Sequence, residues 1–279
     1  MLPITLSIFA CFGWGIADFI GGLKSRDLPT LSILMISSFT GTFILGIILL
    51  LVKSPLPSDP LLFWAIPAGL IGIIAMFLLY RGLAAGAMSI LAPISASGVI
   101  LPVIWGVFSG DALSGFCMVG IVIAILGSVM AVMENDPKRK KKKFTKGIGL
   151  AVGSAFFVGL YYITMDTACT HHPVWASMIM RLSALIIFIP LLFLSKVTVN
   201  IGKVQLPYIL LMGVMDTMAA VCFAVATSKG MLSQVAVISS LYPAVTIILS
   251  TVITGERIQK IQFSGVVLAI AGVTLISAF

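Results

Sequence analysis

Apolar residues run unbroken along most of this chain. They show neither the period-two alternation of a half-buried strand nor the polar stripe of a water-facing helix. Polar clusters interrupt the runs at intervals. The longest is Glu134 to Lys146, near the middle, with six consecutive basic residues from Lys138 to Lys143. Shorter ones hold Lys24, Arg26 and Asp27, the turn-rich stretch from Ser54 to Pro60, Arg81-Gly82, and Ser109-Gly110-Asp111. A membrane span needs about 20 mostly apolar residues. That template fits ten times, at 3–22, 30–52, 61–80, 88–108, 113–133, 147–168, 174–195, 206–227, 232–253 and 261–279. Lipid offers the backbone no partners, so runs this long and uniform are helices. The expected fold is all-α, a polytopic membrane protein of ten transmembrane helices. Residues 1–133 form a first five-helix repeat, 134–146 a basic linker and 147–279 a second five-helix repeat, all within one integrated membrane domain.

Composition agrees with the pattern. The 279 residues are 60% hydrophobic and only 9% charged, against about 25% charged in an ordinary soluble domain. Mean hydropathy is +1.19. Residues 1–22 lack a basic leader and a cleavage site, so they read as a first span and not as a removable signal. The net charge of +8 does not call for nucleic acid, because seven of the 17 basic residues lie in or beside the linker. Anionic lipid headgroups account for such a run between two spans. The four cysteines, Cys11, Cys117, Cys169 and Cys222, form no C-x-x-C pair and imply neither a disulfide framework nor a metal site. The adjacent His171 and His172 lie between spans six and seven without further ligands nearby, and read as loop residues. No phosphate-binding G-x-x-x-x-G-K-[ST] motif is present, and no cofactor is implied.

The two halves repeat. Gly69 matches Gly213 at a shift of 144, as do Gly86 and Gly230, Ser89 and Ser233, and Ile94-Ser95 and Ile238-Ser239. Residues 120–127, GIVIAILG, match 265–272, GVVLAIAG, at a shift of 145, and Gly110-Asp111 matches Gly255-Glu256 at that same shift. Five spans per half is odd, so the second half starts on the opposite side from the first. The copies are then related by a two-fold axis in the membrane plane, the inverted arrangement of many secondary transporters, whose solute site lies at the repeat interface near the midplane.

Ionisable residues inside a membrane point to function by default. Asp216 stands near the centre of span eight. An isolated carboxylate there could bind and release a proton. Asp18 and Asp166 sit toward the later ends of spans one and six, which are equivalent helices. Arg181 lies deep in span seven, where it either pairs with a carboxylate and holds helices together or binds an anionic solute group. Asp166 and Asp216 also raise the question of an intramembrane aspartyl protease dyad. The local sequences Thr164-Met165-Asp166 and Gly213-Val214-Met215-Asp216 lack the usual Tyr-Asp and Gly-x-Gly-Asp forms, so no catalytic residue is assigned. Around Pro93 and Pro243, small residues and serines mark thinned or broken helix near mid-membrane, where carriers place their solute.

The chain resembles the drug/metabolite transporter superfamily, in particular its ten-helix EamA-type members. The resemblance rests on Trp14-Gly15 in span one, Met180-Arg181-Leu182 in span seven, Gly255-Glu256-Arg257 after span nine and Gly265 through Gly272 in span ten. It departs where Asp111 stands for the usual Glu after span four, and where Ser37 occupies the place that the repeat gives to Arg181. The resemblance implies a carrier of small solutes such as amino acids, sugars, nucleotide-linked metabolites or toxic amphipathic compounds, working by alternating access. It also implies that spans one, three, four, six, eight and nine line a central cavity while the others brace them. On this chain that gives Trp14, Asp18, Tyr80, Ser95, Ser97, Tyr161, Asp216, Ser239, Ser240 and Tyr242 as substrate-binding candidates, with Asp216, Arg181 and Asp166 as coupling or structural charges. Aromatic faces with sparse polar groups suit a small amphipathic solute, an amino acid or an amine, moved outward. The expected partners are that solute, a coupled proton or an exchanged solute, and membrane lipids. The alternatives are an uptake carrier for a sugar or other metabolite and, more remotely, a membrane-embedded enzyme or assembly subunit.

Orientation draws opposite expectations. Connections on the linker side carry Lys24, Arg26, Arg81, the linker residues, Lys196, Lys203, Arg257 and Lys260, whereas the other side carries Lys53 and Lys229. The positive-inside rule puts the linker in the cytoplasm and both termini outside, in the cell membrane. The resemblance implies both termini inside.

Overall fold

The computed structural model describes residues 1–25, 27–85, 95, 97–132, 148–194, 201–254 and 259–278. The basic linker, the Gly255-Glu256-Arg257 motif, the matches at Gly86, Ser89 and Ile94, and Pro93 lie outside the described residues. Among the described residues every regular element is helical. In chain order these are α1 (Leu2–Lys24), α2 (Thr30–Leu51), α3 (Ala65–Ala85, entered through a 3-10 turn at Pro60–Trp64), α4 (Ile100–Phe108, after a 3-10 turn at Ser97–Val99), α5 (Gly115–Val132), α6 (Ile148–Cys169), α7 (Pro173–Leu194), α8 (Leu206–Thr227), α9 (Leu232–Ser239), α10 (Tyr242–Thr254) and α11 (Lys260–Ala278). The stretches Leu2–Lys24, Thr30–Leu51, Pro60–Gly82, Gly149–Cys169 and Leu206–Thr227 are each long and apolar enough to cross a membrane.

Proline and turn chemistry set the boundaries. Asp59 caps the 3-10 turn before α3, its carboxylate accepting from the Leu61 N–H at 2.9 Å. Span nine is two helices. α9 stops at Ser239, and Ser240 and Leu241 intervene before α10 resumes at Tyr242. Pro243 brings no N–H and crowds the turn before it, which favours a break at this point.

The packing divides the helices into two bundles. α1 packs most closely on α8, and α2 joins α8; α9 and α10 both lie against α1. In the second bundle α3 packs most closely on α6 and next on α7, and α4 joins α6. Spans one, two, eight and nine thus stand against spans six, seven, three and four, the pairing that exchange of the two repeats produces. α5 and α11 pair with each other. The bundles meet where α2 and α8 face α7, and where α9 faces α4.

Repeated glycines explain the tight pairs. A Cβ on Gly69 would run into the Met180 carbonyl oxygen of α7, and one on Gly213 would crowd the Ser37 carbonyl oxygen of α2. The two residues matched at a shift of 144 therefore make the same contact in the two bundles. Gly120 and Gly127 of α5 meet the backbone of α11 in the same manner. Small residues let membrane helices approach closely enough for dispersion to hold them.

Candidate functional site

Between the bundles lies a cavity with about 950 Å³ of unfilled space, its open mouth included. Trp14, Ala17 and Asp18 line it from α1. Leu34, Ser37 and Ser38 come from α2, and Gly69, Gly72, Met76 and Tyr80 from α3. α6 gives Tyr161 and Tyr162, α7 gives Met180 and Arg181, α8 gives Met212, Asp216 and Ala220, and Tyr242 closes the ring from the start of α10.

One wall is aromatic. The Trp14 ring centroid lies 5.9 Å from that of Tyr162, 5.6 Å from Phe223 and 6.4 Å from Tyr242. Tyr161 stacks on Phe223 at 6.4 Å. Of these rings Trp14, Tyr161, Tyr162 and Tyr242 line the cavity, and Phe223 is fully buried. Tyr242 reaches the ring because span nine breaks immediately before it.

The polar groups cross from one bundle to the other. Arg181 of α7 donates through Nη2 to Asp216 Oδ2 of α8 at 2.6 Å, with the two side chains 8% and 23% exposed. Asp216 is therefore not the isolated carboxylate expected from its place in span eight. Its charge is met by Arg181, on a helix facing it across the seam. The Arg181 Nε is buried without a partner among the described residues. Gly41 of α2 makes room beside it, since a Cβ there would touch the guanidinium. Asp18 of α1 differs. The Tyr80 hydroxyl of α3 donates to Asp18 Oδ1 at 3.2 Å, and among the described residues Asp18 makes no ion pair. It is the cavity carboxylate without an ion pair among the described residues.

Several expected residues lie elsewhere. Ser95, Ser239 and Ser240 do not line this cavity. Their hydroxyls are engaged by backbone carbonyls of Ala151, Ser7 and Val237, at 3.4, 3.5 and 2.8 Å. Ser97 sits in the short turn before α4 and is likewise not a lining residue. Asp166 is at the far end of α6, where it meets the Thr227 side chain of α8. Spans two and seven, expected to brace, contribute Ser37, Ser38, Met180 and Arg181, because α2 and α7 face each other across the seam. The described part of span four contributes no lining residue. Tyr162 and the Ser37-Ser38 pair line the cavity without being among the candidates drawn from the sequence. Their signal was weak: Tyr162 adjoins a selected tyrosine on the next helix face, and the serines occupy the place where the repeat has Arg181.

A helical membrane protein whose two bundles exchange under its internal repeat, and which holds an amphipathic cavity between them, has the architecture of a solute carrier. The chain belongs to the EamA-like transporter family, whose model matches residues 1–133 and 145–278. It is thus a multi-pass integral membrane protein of a family that transports small solutes. An uncharacterized protein of Methanocaldococcus jannaschii is 26% identical over 130 residues, 47% of this chain and 93% of that protein. That relative is about one repeat long. A protein of known crystal structure superimposes with a TM-score of 0.76 at 17% identity, covering 99% of this chain and 97% of the other. At that identity the likeness is one of fold.

Proposed function

We propose that the protein is a secondary carrier that exchanges a small amphipathic amine, an amino acid or a lipophilic amine, for protons by alternating access in the cell membrane. The observation that carries this reading is Asp18, a cavity carboxylate held by Tyr80 and without an ion pair among the described residues, beside the aromatic wall of Trp14, Tyr162 and Tyr242. An ammonium group there gains a counter-charge and π faces together. The apolar remainder of the lining suits a hydrocarbon tail. A strongly phosphorylated solute finds one lining guanidinium, already engaged by Asp216. Proton and ammonium compete for one carboxylate, so inward proton movement drives the amine outward.

The test is a thermal-shift screen of the purified full chain against amines, amino acids, sugars and sugar nucleotides, followed by flux assays on the hits. Trp14→Ala should weaken affinity for the best amine by roughly tenfold, the worth of a cation–π contact in a desolvated site. Thr274→Ala, on the exposed face of α11, should leave it unchanged. Equal weakening by both, or a sugar nucleotide as best ligand, would refute the reading.

A further inference from the structure

The two bundles also touch at the membrane face opposite the linker, and that contact is polar. Asp111, just beyond α4 in the second bundle, accepts from the Ser233 N–H at 2.9 Å and from the Ser233 hydroxyl at 2.5 Å. Ser233 lies in the first turn of α9, in the first bundle. An N-terminal helix N–H and a hydroxyl both aimed at one carboxylate oxygen make a charge-assisted contact, stronger than a neutral one. Two further features keep it in place. Gly110 adopts φ +108°, which turns the chain sharply after α4. Gly106 leaves the space that the contact occupies, because a Cβ there would overlap both the Asp111 carboxylate and the Ser233 hydroxyl. Close by, Asp166 of α6 meets Thr227 at the end of α8, again from one bundle to the other. The Ser233 hydroxyl also lies 3.4 Å from the Val103 carbonyl oxygen of α4, a contact of the kind that recurs within each bundle. There glycines and hydroxyls lie against backbone carbonyls, as at Gly69 on Met180, Gly213 on Ser37 and Ser154 on Ala75.

Helix pairs sealed by close backbone approach move as units. A seam held by side-chain contacts such as Asp111 on Ser233 and Asp166 on Thr227 can part, because water replaces the donors when the face opens. We propose that the Asp111–Ser233 contact is the latch of the face opposite the linker, a positioning device that must release in each transport cycle before solute passes between the cavity and that face. The latch acts whatever the solute, and so does not depend on the amine reading.

The test needs no substrate. In a chain with Cys11, Cys117, Cys169 and Cys222 replaced by Ala, Ala220→Cys reports from the cavity lining through a membrane-impermeant trimethylammonium thiosulfonate. Labelling is followed in intact cells and in inside-out vesicles. The far face is the one from which a separate Lys140→Cys linker reporter stays unlabelled. Ser233→Ala should raise far-face labelling by roughly tenfold, the worth of a lost hydrogen bond to a charged group. Asp111→Cys with Ser233→Cys, joined by a short reducible bis-thiosulfonate, should suppress far-face labelling to background, and reduction should restore it. The control is Asp59→Cys with His171→Cys on the same face. Those side chains meet at 2.9 Å between the start of α3 and the α6–α7 turn, within the second bundle. Joining them should leave labelling unchanged. Undiminished labelling of the joined 111–233 protein, failure of that pair to join, or equal suppression by the control pair would each overturn the proposal.

Discussion

Replacing Asp18 by Asn is expected to lower the affinity for a cationic amine by roughly tenfold to a hundredfold and to remove the pH dependence of binding. The size follows from the loss of one charge-assisted contact in a partly buried site, worth about 1.5–3 kcal/mol. The pH effect follows from competition. As the pH falls, Asp18 takes up a proton and loses its hold on the ammonium, so wild-type affinity declines toward acid. The asparagine keeps the shape and an acceptor for the Tyr80 hydroxyl, but it cannot titrate. The charged and titratable groups that share the cavity with Asp18 are Tyr80 on α3, Tyr161 and Tyr162 on α6, Arg181 on α7, Asp216 on α8 and Tyr242 on α10. Of these, Asp216 is engaged by Arg181, which leaves Asp18 to carry the response. Equilibrium binding of a quaternary amine between about pH 5 and 8 reads the effect. A wild-type slope retained by Asp18→Asn would assign the proton to another group.

The second large effect is on stability. Asp216→Ala leaves the Arg181 guanidinium in the helix seam without its counter-charge. Breaking a buried pair on one side costs about 3–5 kcal/mol, whereas replacing both partners by apolar residues is often neutral. Thermal unfolding in detergent should therefore show a large loss for Asp216→Ala and near recovery when Arg181→Met is added to Asp216→Leu. The double variant should fold and yet lack the polar end of the cavity. Wild-type stability of Asp216→Ala would mean that the ion pair does not hold α7 to α8.

Much of this architecture can be read from the residues, for reasons specific to membranes. A span must be apolar over its whole length, so long uniform runs disclose helices even where periodicity is silent. Glycines recur because two bundles related by a two-fold axis need the same close approach twice. Gly69 and Gly213, matched only by spacing, meet carbonyls of Met180 and Ser37 in equivalent places. Pro243 likewise announces the break that delivers Tyr242 to the cavity.

The site was less legible, because depth along a helix says little about direction around it. Arg181 and Asp216 both sit at mid-membrane depth, but nothing in the spacing says that α7 and α8 turn these faces toward each other. The serines show the opposite difficulty. A hydroxyl in a span reads as a potential ligand contact, yet Ser239 and Ser240 lie beside carbonyls of Ser7 and Val237 that occupy them. The Asp111–Ser233 contact joins residues 122 positions apart in sequence. The repeat marked both residues, but only packing brings them together.

The most direct measurement is proton-driven accumulation in proteoliposomes of the purified chain, using a radiolabelled quaternary amine that cannot cross lipid as a neutral base. An interior more acidic than the bath should drive uptake above the external concentration in wild-type vesicles. Collapse of the gradient should abolish the uptake, and Asp18→Asn vesicles should show none. Accumulation that ignores the gradient, or that persists in full with Asp18→Asn, would contradict exchange of amine for proton at this carboxylate.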